Sequence, residues 1–179
     1  MNAPRHIHNL VLAGFMGCGK SSVGRLAAEQ LRFRFVDTDA LIESRARKTI
    51  PEIFAQQGEP AFRALERQVV AELNGDEKVV ISTGGGLIVD PANLASLKEH
   101  GLVVCLWASP ETLFERVCRT SHRPLLQDPD PLAKIRRLLA EREPFYRQAD
   151  VLVISEHRSL REVAAHVLQE FHLALRRPG

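Results

Sequence analysis

Gly14, Gly19, Lys20 and Ser21 satisfy the spacing G-x-x-x-x-G-K-[ST], with a further glycine, Gly17, inside it. Residues of these types in this order can hold a chain of phosphates. Glycines let backbone N–H groups turn inward around anionic oxygens, and the start of a following helix adds partial positive charge. Lys20 can reach the β- and γ-phosphates, and the Ser21 hydroxyl can bind Mg2+. Cys18 and Ser22 complete the loop; Cys18 is read as a small residue that fits rather than as a reactive thiol. The motif lies between the apolar run NLVLAG and an amphipathic stretch carrying Val23, Leu26, Ala27 and Leu31, the strand-to-helix context it requires. The chemistry implied is binding of a nucleoside triphosphate. ATPases, GTPases and small-molecule kinases all use such a loop, so the reaction must be read elsewhere.

Other candidates follow other apolar runs. In FVDTD, Asp37 and Asp39 point the same way if the strand continues. One carboxylate can then hold Mg2+, and the other can accept a hydrogen bond or a proton from a substrate hydroxyl. The plainer alternative is that either aspartate caps a helix. In STGGG, Gly84, Gly85 and Gly86 expose bare backbone to a close ligand, or simply form a flexible turn. No acidic residue ends that strand and no NKxD motif is present, which points away from many P-loop ATPases and from GTPases. Arg63 and Glu66 share a helix face; they form either a surface ion pair or a site in which Arg63 forks onto a substrate carboxylate. Phe54 and Phe62 read as core, or as the wall of an adjoining pocket. The segment RVCRTSHRPLLQDPDP, with Arg116, Arg119 and Arg123, has the composition of a closing flap that delivers an arginine to developing charge, or of a solvated basic loop. Arg142 stands shortly before a proline in AEREPFYRQAD.

The elements that must position these residues are legible as an alternation. Strand patterns NLVLAG, RFRFVD, EKVVIST, GLVVCLW and DVLVIS are separated by helical ones. Start signals include capping boxes at Thr49/Glu52 and Ser159/Glu162, and Asp90, Ser109 and Asp130 each precede a proline. This predicts a parallel sheet covered on both faces, with ligands at the carboxyl ends of the strands. TIPEIFAQQGEPAFRALERQVV predicts two helices broken near Gly58. The chain's 179 residues predict one domain, and its 45% hydrophobic and 26% charged residues fit a globular protein. A net charge of +2 argues against nucleic acid or an acidic membrane as partner. Three cysteines without metal spacing, no signal-like start and no spanning apolar run lead to the expectation of a cytoplasmic protein. No surplus apolar stripe is seen, so a monomer is expected.

The set GFMGCGKSSVGRLA, FVDTD, IPEIFAQQGEPAFRALE, STGGG, LWASPETLFERV, RPLL and REPFYRQAD, in this order, resembles the shikimate kinase family over nearly the whole chain. The resemblance implies a three-layer α/β/α P-loop kinase with a five-stranded parallel sheet in order 2-3-1-4-5. It implies a substrate-binding helical segment about residues 38–66 and a mobile lid about 117–131. It implies transfer of the γ-phosphate of ATP, with Mg2+, to the 3-hydroxyl of shikimate, a step toward chorismate and the aromatic amino acids. By the same resemblance, Lys20, Asp39 and Arg123 would be catalytic, Asp39 binding substrate hydroxyls. ATP would be bound by Gly14, Gly17, Cys18, Gly19, Lys20, Ser21, Ser22, Arg116, Arg123 and Arg158, and Mg2+ by Ser21 and Asp37. Shikimate would be held by Asp39, Arg63, Gly85, Gly86 and Arg142, the two arginines clamping its carboxylate. Two other readings are weighed against this one: a kinase for another hydroxy acid such as gluconate, and a catalytically silent nucleotide-binding regulator.

Overall fold

Each apolar run forms a strand: β1 (Asn9–Ala13), β2 (Arg34–Asp37), β3 (Val79–Ser82), β4 (Gly101–Trp107) and β5 (Val151–Ile154). The structure is a computed structural model and describes residues 5–118 and 128–176. The strands make one sheet in the order β2-β3-β1-β4-β5, and every neighbouring pair is parallel. Central β1 is buried at every residue, as a strand covered on both faces must be. Asp37 sits beside Ser82, and Ser82 beside Leu12, so the carboxyl ends of β2, β3 and β1 share one rim.

Seven α-helices lie among the described residues: α1 (Lys20–Leu31), α2 (Thr38–Ala46), α3 (Ile50–Leu73), α4 (Pro91–His100), α5 (Pro110–Cys118), α6 (Pro131–Tyr146) and α7 (Leu160–Arg176). Right-handed crossovers in this strand order put α1 on one face, where α7 packs beside it, and α3, α4 and α6 on the other. The result is a three-layer α/β/α fold. Among the described residues, no helix is long and apolar enough to cross a membrane.

Local chemistry accounts for most boundaries. Thr49 and Glu52 form the reciprocal capping box of α3, and Ser159 and Glu162 make the same bonds before α7. Asp90 and Asp130 cap α4 and α6 ahead of their prolines. Within α3 the helix breaks at Gly58, whose φ of 77° lies in the left-handed region. That break starts a fresh helical segment five residues before Arg63.

Two expectations are corrected. β2 stops at Asp37, which caps α2 by accepting from the Ala40 N–H at 3.3 Å, so Asp37 and Asp39 do not share a strand face. Asp39 instead lies in the first turn of α2. Phe54 is not core: it is 38% exposed, while Phe62 is buried and packs against it with the rings tilted and their centroids 4.9 Å apart. The Gly58 break aims the two helical segments differently, so only the second aromatic faces the core.

Candidate active site

The loop after β1 closes around a cavity of about 360 Å3, lined by Gly17, Gly19, Lys20, Ser21, Ser22, Asp37, Asp39, Thr83, Gly85 and Arg116 among others. Glycine is required at Gly14 twice over: φ is 128°, and a Cβ would collide with the Leu106 carbonyl. Gly19 is the left-handed N-cap of α1 and offers no side-chain cap; no acidic residue follows in the first turn. The positive end of α1 is thus left open to an external anion. Lys20 is only 8% exposed, and its ammonium donates to the carbonyls of Gly14 at 2.9 Å and Phe15 at 3.0 Å. The loop therefore holds its own cation in place. The Cys18 side chain turns away from the cavity into the core, which leaves only its backbone for a ligand.

At the strand rim the Ser21 hydroxyl donates to Asp37 Oδ2 at 2.7 Å and lies 3.2 Å from the Ser82 hydroxyl. The STGGG turn is anchored on both sides. Thr83 donates from N–H and hydroxyl to the Leu12 carbonyl at 3.0 and 3.2 Å, and the Gly84 N–H donates to the buried Thr38 hydroxyl at 2.9 Å.

The three glycines that follow face three charged groups in turn. A Cβ on Gly84 would strike the Asp39 carboxylate, one on Gly85 would stand 3.5 Å from Arg142 Nη1, and one on Gly86 would stand 2.9 Å from Arg63 Nη1. None of the three has positive φ, so at Gly84 and Gly86 the sequence needs glycine for space rather than for conformation, whereas a Cβ at Gly85 would make ordinary contacts. Gly84, expected only as bare backbone in the turn and not among the shikimate-binding residues, is the tightest of the three. Gly84→Ala is expected to displace Asp39 and lower kcat/KM by about 10- to 100-fold, the cost of misplacing a reacting group by about 1 Å. Steady-state kinetics beside a circular-dichroism melt check it; unaltered kinetics would show the turn has slack.

Arg63 and Glu66 are no surface pair. Glu66 is 1% exposed and accepts from Arg63 Nη1 at 2.7 Å, while Glu59 accepts from Nε and Nη2 at 3.1 and 2.8 Å. Burial pushes the Glu66 carboxyl above its ordinary range; Arg63 opposes this, and nearby Asp39 and Asp90 add to it. Arg63 and Arg142 stand behind the glycine turn and do not line the 360 Å3 cavity, whereas Asp39 and Gly85 do.

A second cavity of about 250 Å3 adjoins the phosphate loop, between Gly17–Gly19, Arg116, Ser155, Arg158 and Leu160. The Arg116 guanidinium is fixed by the Ser155 carbonyl at 2.7 Å and hydroxyl at 3.2 Å. Leu160, 49% exposed at the start of α7, forms an apolar wall there that sequence reasoning missed. An exposed leucine beside a capping serine carries no signal on its own. Arg158 does line this cavity, and it donates to His166 Nδ1 at 3.1 Å. Arg119 and Arg123, and with them most of the expected lid, lie outside the described residues.

A parallel sheet of order 2-3-1-4-5 with a glycine-lysine loop after its central strand defines a P-loop phosphotransferase. The family model for shikimate kinase matches residues 16–172. A shikimate kinase of Caldanaerobacter subterraneus is 42% identical over 163 residues, 91% of this chain and 95% of that protein. The solved structure of shikimate kinase from Acinetobacter baumannii in complex with shikimate is 38% identical, covers 96% of each chain and superposes with a TM-score of 0.89. A gluconokinase from Sinorhizobium meliloti, 22% identical over 95% of each chain with a TM-score of 0.63, shares the fold alone. The chain belongs to the shikimate kinase family and is an ATP-dependent kinase.

Proposed function

We propose that this chain transfers the γ-phosphate of ATP to the 3-hydroxyl of shikimate, and that its own residues divide the work as follows. The observation that carries the reading is the glycine turn: Gly84, Gly85 and Gly86 bring Asp39, Arg142 and Arg63 against one short stretch of backbone beside the phosphate loop. An aspartate with two arginines suits a small anion that also carries hydroxyls. Arg63 and Arg142 bind its carboxylate, Asp39 accepts from its hydroxyl, and the backbone of Gly85 and Gly86 approaches its ring.

The amides of Gly14–Ser22 and the Lys20 ammonium hold the triphosphate. Adenine enters the second cavity between Arg116 and Leu160, with Arg158 at its edge. Ser21 and Asp37 fit Mg2+: both offer hard oxygen, and their hydrogen bond already holds the two side chains together beside the phosphate loop, so they would be the residues to hold the ion. When bound, the ion would neutralise charge on the β- and γ-phosphates. The segment about 38–66 is the substrate-binding element, the segment about 117–131 the lid, and Arg123 the arginine it delivers. A monomer is the working unit of this reading. We place it in the cytoplasm, where ATP is supplied.

Coupled release of ADP, measured with shikimate, gluconate or no acceptor, tests the reading. Turnover is expected with shikimate alone. Strong gluconate turnover without shikimate turnover would overturn the substrate, and nucleotide binding without any phosphorylated product would favour a silent regulator.

Arg63→Ala is expected to raise the shikimate KM by about 30- to 5,000-fold while changing the ATP KM little, since truncating one side of a buried charge pair costs about 2–5 kcal/mol. Glu66 adds a pH signature. Because its pKa is raised, it takes up a proton on acidification before an ordinary glutamate of pKa 4.5 would, and Arg63 then loses an ionised anchor. The shikimate KM is expected to climb as pH falls through that raised value. Glu66→Gln should remove the inflection. The linked stability runs the opposite way to binding: the contribution of Glu66 is fully present below 4.5 and is lost as pH rises through its folded value.

A further inference from the structure

Tyr146 has no part in the assignments above, yet its ring is completely buried and its hydroxyl donates to the Gly85 carbonyl at 2.6 Å. That bond joins the last residue of α6 to the middle of the glycine turn, 61 positions away in the chain. Arg142 lies one turn earlier on the same face of α6. Its guanidinium stands beside Gly85 and 5.6 Å over the Phe15 ring. Phenol, guanidinium and turn thus meet at one place. A buried tyrosine hydroxyl needs a partner, and this one takes its partner from backbone that borders the cavity. Burial pushes the phenol pKa up; the Arg142 guanidinium, acting by charge and by hydrogen bond, opposes this without reversing it. The hydroxyl therefore stays protonated and remains a donor to Gly85.

We infer that Tyr146 is a positioning residue for the anionic end of the substrate: its O–H···O=C bond to Gly85 holds the glycine turn and the Arg142 guanidinium in one fixed relation. This rests on the reading of Arg142 as a substrate-carboxylate ligand. Without the bond the turn and α6 can drift apart, and the guanidinium then meets the carboxylate off its fork axis. The phosphate loop also borders this place, with Met16 N and the Gly14 carbonyl as near to Gly85 as Arg142 is, but it keeps its own anchors through the Lys20 ammonium, so the larger effect falls on shikimate rather than on ATP.

Tyr146→Phe keeps the ring and removes only the hydroxyl. It is expected to raise the shikimate KM about tenfold, which is about 1.4 kcal/mol, with the ATP KM and kcat within about twofold. In an Arg142→Ala background the same change should add less than about twofold, because its route of action is gone. Melting provides a readout independent of turnover: Tyr146→Phe should lose much of the stabilisation by shikimate and keep that by ATP. A tyrosine that merely fills the core would lower the melting temperature and leave both ligand responses intact, which would overturn the inference. If Arg142→Ala is impaired for shikimate while Tyr146→Phe is not, the clamp stands and the role of Tyr146 falls. If neither variant changes the shikimate response, the clamp reading fails and takes this inference with it.

Discussion

Lys20→Ala is expected to lower kcat by about 10^3-fold, the loss seen when one preorganised donor is removed from a site of developing charge. The side chain is buried at the floor of the loop and already pinned by two loop carbonyls at 2.9 and 3.0 Å. It needs no reorganisation as charge moves onto the transferring phosphoryl group, which makes its electrostatic effect large. The stability cost should be small by comparison. The Phe15 carbonyl still accepts from the Cys18 N–H, and water from the adjoining cavity can reach the Gly14 carbonyl. Rate assays at saturating substrates beside a thermal melt separate the two effects. A variant that melts near the parent temperature and turns over within tenfold of it would remove Lys20 from the phosphoryl-transfer step.

Asp39→Asn is expected to lower kcat/KM by about 10^2- to 10^4-fold, the range for removal of a positioned acid–base group. The substitution preserves shape, so Gly84 still packs against the side chain and the first turn of α2 should persist. What is lost is charge and the capacity to take a proton. The split between constants identifies the role. A fall confined to kcat marks a base, a rise confined to the shikimate KM marks an anchor, and a change in both marks a group that does each. Full activity in Asp39→Asn would exclude both roles.

The regular elements were open to prediction because their causes are short-range. Thr49 and Glu52 are three residues apart and satisfy each other's donors whatever lies around them. Gly58 breaks α3 through its own φ. The near-continuous apolar character of NLVLAG and GLVVCLW told of strands covered on both faces, and the alternation with helices told of a parallel sheet. The glycine-lysine loop was legible for the same reason: its spacing encodes a backbone shape and a helix start that need no distant partner.

Other features depended on contacts between residues far apart in the chain. An Arg63/Glu66 pair spaced three apart looks the same on a wet helix face as in a closed site, and only the packing of α3 decided that Glu66 is buried. Asp37 and Asp39 looked like neighbours on one strand until Asp37 became the cap of α2.

From the sequence alone came the three-layer fold, the phosphate loop and the list of charged residues able to serve a substrate. The tertiary structure decided how those residues meet: Gly84 and Gly86 making room for Asp39 and Arg63, Gly85 lying beside Arg142, Tyr146 reaching across to Gly85, and Leu160 walling the second cavity. The physical reason is range. Capping, backbone dihedral preference and hydrophobic periodicity act over a few residues and leave marks in local order, whereas burial of a charge or a hydroxyl depends on which distant backbone arrives beside it, and that is settled only when the whole sheet and its helices close together.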